Sequence, residues 1–110
     1  SLAEYEAYAK LDFKGCMTRN PQPCRFNQTL SLNLNGIEQR DDYDLWIFTL
    51  RDIDDQEIYR RDLSQNEIPS YESPILDVDA ELSDTPVSYG IWPRTADGHF
   101  FPSRYHDLQL

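Results

Sequence analysis

Lysine is almost missing from this 110-residue chain: Lys10 and Lys14 stand against 8 arginines, 13 aspartates and 7 glutamates. The formal charge is -10, and a surface of that sign repels phosphate backbones and anionic headgroups, whose binding depends on neutralisation by Lys and Arg. Nucleic acid and membrane partners are therefore not expected, whereas basic proteins, divalent cations and neutral glycans stay open. A solvated surface is the plainest account of most of these carboxylates. Glycine is scarce, with 4 residues, and none belongs to a phosphate-binding loop or a nucleophile elbow. No apolar run reaches even ten residues, which excludes a membrane-spanning helix. What is present, 39% hydrophobic and 27% charged residues, suits one folded domain over residues 1–110.

Cysteine is limited to Cys16 and Cys24, with Asn20, Pro21 and Pro23 between them. These turn-forming residues can bring the two thiols together, and closing so short a loop stabilises a fold by roughly 2 to 3 kcal/mol. The pair is read as a disulfide, with two reduced thiols as the competing account. A zinc site is excluded by the want of further Cys or nearby His ligands. A bridge implies an oxidising, extracytoplasmic compartment (secreted, periplasmic or cell surface). The sequon Asn27-Gln28-Thr29 fits secretion and marks Asn27 as a candidate glycosylation site.

What is abundant is alternation. The stretch Tyr43–Leu63 reads as two strands around an acidic turn, and the first, Leu45–Leu50, is apolar on both parities. Trp46, Phe48 and Leu50 point one way and Leu45 and Ile47 the other, so this strand is expected mid-sheet. Glu57–Leu63 is more polar and suits an edge. Strict alternation from Tyr5 to Phe13 predicts a strand from about Ala7, although Ser1 and Glu4 have the spacing of a helix capping box. Arg25–Asn35 turns Phe26, Gln28, Leu30, Leu32 and Leu34 inward and Asn27 outward, and Asn35-Gly36 then reverses the chain. Ser64–Ser73 reads as a surface crossing between two sheets. Beyond Pro74, Leu76, Val78, Ala80 and Leu82 face inward. Pro86–Pro93 sets Tyr89 and Ile91 against Ser88, Gly90 and Trp92. After the Asp97-Gly98 reversal, His99–Leu110 makes a last strand that Pro102 confines to an edge or a bulge. About seven short strands with turn chemistry between them predict an all-β, antiparallel two-sheet sandwich.

The order of these strands, Trp46 in the third, the polar fourth, and the segment DTPVSYGIWPRTADGHFFPS with Tyr89 before an Asp-Gly hairpin resemble an immunoglobulin-like or fibronectin type III-like domain. The resemblance implies a fold alone, because such domains carry many unrelated functions. It departs from antibody domains in placing the two cysteines in the loop between the first two strands.

Catalysis needs a nucleophile with its base, a metal cluster, or paired acids in a cleft, and none is legible. His99 and His106 differ in parity and stand roughly 20 Å apart along an extended strand. The chain is therefore read as no enzyme. Asp52, Asp54, Asp55 and Glu57 share one turn and are candidate calcium ligands, although that turn lacks the glycine and the terminal glutamate of an EF-hand loop. Trp92 falls on the face of Leu45 and Ile47, and with Tyr59 these form a candidate apolar patch, unless the N-terminal segment or the crossing loop covers it. The expected function is a noncatalytic extracytoplasmic module, binding a protein partner or its own copies through Leu45, Ile47, Tyr59 and Trp92. A carbohydrate-binding module with Trp92 stacked on sugar rings is the alternative, and calcium-dependent adhesion a further one.

Overall fold

The computed structural model describes residues 24–101 and 105–108. Six strands and one short 3₁₀ turn follow in order: β1 (Cys24–Ser31), β2 (Tyr43–Arg51), β3 (Glu57–Leu63), the turn Gln65–Glu67, β4 (Ile75–Leu82), β5 (Ser88–Thr95) and β6 (Tyr105–Asp107). They form two antiparallel sheets, β1–β4 and β3–β2–β5–β6, as expected of an all-β sandwich. The expected N-terminal strand, and Cys16 of the expected disulfide, lie outside the described residues, so six of the roughly seven expected strands are accounted for.

β2 lies mid-sheet because both its faces are apolar. It pairs with β3 on one side and β5 on the other, and five consecutive residues, Trp46 to Leu50, are buried. Trp46, Phe48 and Leu50 face the second sheet and join Phe26, Leu30, Leu76, Val78, Leu82, Tyr89 and Ile91 in one core. Phe48 stacks on Tyr89 with centroids 6.1 Å apart. The polar strand β3 takes an edge of its sheet, and the alternation of β4 is complete, with Leu76, Val78 and Leu82 buried between exposed Asp77, Asp79 and Glu81.

Polar side chains bolt the two sheets together. The Asn33 amide donates to the Tyr89 hydroxyl over 2.7 Å. Arg61 of β3 reaches the Asp77 carbonyl of β4 at 3.0 Å and the Glu67 carboxylate at 2.9 Å. Glu67 in turn accepts the Ser64 amide, and the Trp46 indole donates to Gln65.

One strand limit differs from expectation. β1 ends at Ser31, not Asn35, although Leu32 and Leu34 remain buried. Leu32 still donates to Pro74, but a proline has no amide to return, so the ladder stops there, while the Asn33 amide, turned away from β4, goes to the Tyr89 hydroxyl of the other sheet. Of the expected last strand, interrupted at Pro102, the described residues show a single bridge, Arg94 to Phe100, and then β6 at the edge of the sheet.

Two outcomes follow for stability. Tyr89→Phe leaves the Asn33 amide without its acceptor and should lower unfolding free energy by about 1 kcal/mol in urea titration, a typical net hydrogen-bond value. The Glu67 carboxyl is held below its ordinary value of 4.5 first by the Ser64 amide and then by Arg61. A depressed carboxylate contributes stability above its unfolded pKa and loses it as pH falls through the folded one. The thermal midpoint should therefore drop on acidification below about pH 4.5, and Glu67→Gln should flatten that slope. An unchanged slope would show that Glu67 does not carry it.

Candidate interaction face

The side of the four-stranded sheet turned away from the core is set by register. Ile47 lies opposite Trp92, Thr49 opposite Gly90, Leu45 opposite Arg94, and Gly90 opposite Tyr105 of β6. Directly opposed residues of an antiparallel pair share a face, so these side chains stand together. Gly90 is the hinge of the arrangement. A Cβ built there would lie 2.6 Å from Cζ3 of Trp92 and 2.7 Å from Cε1 of Tyr105, because both rings fold into the space that glycine leaves. They meet edge to face at 6.0 Å and 71°. Thr49, across from Gly90, is fully buried.

Two arginines extend the cluster along the sheet. Arg51 lays its guanidinium 4.2 Å from the Tyr105 ring centroid and donates through Nε to the Asp55 carbonyl. Arg94 stands 6.0 Å from the Phe100 centroid and reaches Asp44 at 3.4 Å. Such cation–π contacts are worth about 0.5–1 kcal/mol when exposed, and here they hold rings in place at the surface. Phe100 and Tyr105 remain 42% and 43% exposed.

Of the residues expected to form a patch, three share this face. Trp92 and Leu45 are half-buried, and Ile47 is only 2% exposed, a floor beneath the rings more than a contact surface. Tyr59 is a correction. The β2–β3 register shifts between Leu50 and Arg51, so Tyr59 falls opposite Leu50 and packs edge to face on Phe48 at 6.2 Å, toward the core. Tyr105, Phe100, Arg51 and Arg94 were missed. No periodic signal carries across Pro102 to assign Tyr105 a face, and an arginine over a ring two strands away leaves no trace in linear spacing.

The acidic turn does not gather a metal site. Oδ1 of Asp52 accepts the amides of Asp54 and Gln56, both at 2.9 Å, so this buried carboxylate folds the turn. Asp55 takes a positive φ of 61°. Among the described residues no group of three or more His, Cys, Asp or Glu side chains is placed to hold a metal ion, which includes Asp52, Asp54, Asp55 and Glu57. The two histidines lie apart in role, His99 against Phe101 and His106 against Tyr89.

A hollow of about 380 Å³ is lined by Arg40, Asp42, Thr95, Asp97, His99 and Phe101. Its charged groups are engaged with one another. Arg40 grips Asp42 through two bonds and covers the Phe101 ring at 4.6 Å, which holds the Asp42 carboxyl below its usual range. Asp97 is likewise lowered by the Thr95 hydroxyl and then by the His99 amide. Asn27 is exposed on β1, opposite Asp79, and the Thr29 hydroxyl of its sequon donates to Asp77.

No family model, curated protein or solved structure matches the chain.

Gly90→Ala tests the ring cluster. The added methyl must displace Trp92 or Tyr105, and overpacking of this kind costs about 1–3 kcal/mol. Loss of stability with a shift in Trp fluorescence is the expected result. A neutral substitution would mean that the rings do not rest on Gly90.

Proposed function

We propose that this chain is a noncatalytic binding or assembly module of immunoglobulin-like topology, acting through protein contacts on the outer face of its four-stranded sheet. The strand order supports the topology. With β1 and β4 as B and E, and β3, β2, β5 and β6 as C′, C, F and G, the layout follows the two-sheet scheme of such domains. The extracytoplasmic location rests on the Cys16–Cys24 pair and the exposed sequon at Asn27.

One observation carries the functional reading. Phe100 and Tyr105, both more than 40% exposed, flank Trp92 on a single face, in a chain whose formal charge is -10. Exposed aromatics held rigid beside arginines match the composition of interface centres, where Tyr, Trp, Phe and Arg are enriched. Around them Asp44, Asp62 and Asp107 form a polar rim. Burial of the rings would supply affinity, and the charged rim would select register. Stacking on a flat glycan is less well served, since the Trp92 and Tyr105 planes are inclined by 71° and cannot both lie on one sugar surface.

Light scattering behind size exclusion, over a hundredfold range of concentration, tests the assembly form of this reading. The expected result is a mass above the 12.9 kDa of one chain that falls on dilution and returns to one chain in Phe100→Lys with an unchanged thermal midpoint. An assembly indifferent to Phe100→Lys and Tyr105→Lys would overturn the reading. Quenching of Trp fluorescence by soluble oligosaccharides, lost in Trp92→Ala, would favour the glycan alternative.

A further inference from the structure

The opposite side of the sandwich has a chemistry that answers the ring-bearing face. β4 turns Ile75, Asp77, Asp79 and Glu81 to solvent, and β1 turns out Arg25, Asn27, Thr29 and Ser31. Ile75 is 66% exposed, the most exposed large apolar side chain among the described residues. Arg25 grips Asp79 through two bonds of 2.6 and 2.9 Å. The Asp77 carboxylate accepts from the uncharged Thr29 hydroxyl. Among the described residues one arginine thus stands against three carboxylates beside an apolar knob.

The ring-bearing face balances differently. Among the described residues Arg51, Arg60 and Arg94 accompany Asp44, Asp62 and Asp107. Arg60 pairs with Asp62 at 3.7 Å and Arg94 with Asp44 at 3.4 Å. Arg51 is spent on a backbone carbonyl and a ring, so its charge meets no carboxylate in these contacts. This face therefore offers a cation among exposed rings, within a chain that is otherwise strongly acidic.

We propose that the occupant of the ring-bearing face is the β1–β4 face of a second copy. The proposal rests on the outer-face reading above and adds which surface docks there. Pairing ring-bearing face to ring-bearing face would oppose two charge-balanced surfaces and leave Ile75 in water. Pairing it with the β1–β4 face brings Arg51 toward the surplus carboxylates and buries Ile75 against Phe100 and Tyr105. Charge complementarity of this kind fixes register and suppresses like-charge arrangements. The two faces lie on opposite sides of one sandwich, so the contact is heterologous. A heterologous contact leaves one face free at each end and grows into a chain of copies unless a rotation closes it into a ring.

Complementary blocked variants test this. Ile75→Lys blocks the β1–β4 face at a position open to solvent, and Phe100→Lys blocks the ring-bearing face. Arg51→Glu serves as a second ring-face variant should Phe100→Lys fail to fold. Sedimentation velocity of the wild type should show species beyond a dimer as concentration rises. Each variant alone should remain a monomer, its self-association weakened at least tenfold. An equimolar mixture of the two should form a dimer and stop there, because each then retains one competent face. If Ile75→Lys assembles as the wild type does while Phe100→Lys is monomeric, the head-to-tail contact is overturned and the outer face binds its own kind. If neither variant changes assembly, both readings fail. A wild type that stays monomeric throughout also overturns the proposal.

Discussion

Every face of this domain takes its direction from the double burial of β2. A strand apolar on both parities cannot sit at an edge without exposing one of its rows, so it recruits a neighbour on each side. Once β3 and β5 pair with it, the parity of each neighbouring residue is decided. Trp46, Phe48 and Leu50 commit one row to the core. Ile47 and Thr49 commit the other to the underside of the ring cluster, and both are almost inaccessible. The outer face is thus built on a buried floor, which makes its rings firm rather than loose appendages.

Glycine and arginine act as partners in that firmness. Gly90 provides the vacancy into which Trp92 and Tyr105 lean, a known compensation for glycine within a strand. Arg51 and Arg94 then lie over the rings at the two ends of the row. A residue that weakens a strand in isolation here allows two aromatic side chains to be presented in one orientation.

Between the sheets the hydrophobic core is supplemented by hydrogen bonds that cross it. The Tyr89 hydroxyl takes an amide from the segment after β1, and Arg61 joins the edge of one sheet to the edge of the other. Such bonds add little net free energy each, but breaking one strands a partly buried polar group. They also resist sliding of one sheet over the other, which apolar contacts alone resist poorly because burial has no direction. Arg61 lies on the core-facing row of β3, opposite Phe48. A charge is tolerated there because its head is satisfied by the Asp77 carbonyl and the Glu67 carboxylate.

What the amino-acid sequence determined by itself was the inward rows of β1, β2, β4 and β5, the central place of β2, the edge position of β3 and the crossing at Ser64–Ser73. Each depends on a two-residue period or on turn chemistry, and both are written in linear order. Tertiary structure decided the rest. Tyr59 turned inward because of a register shift that no residue type announces, and β1 ended early because pairing set Pro74, which has no amide to return, across from Leu32. Tyr105 joined Trp92 because β6 happened to pair with Gly90, and Arg51 joined Tyr105 across the intervening strand β5. The candidate face was therefore half legible. Trp92, Leu45 and Ile47 could be placed by parity, whereas Phe100, Tyr105 and the arginines depend on which strands become neighbours, and strand pairing is a property of the packed sheet.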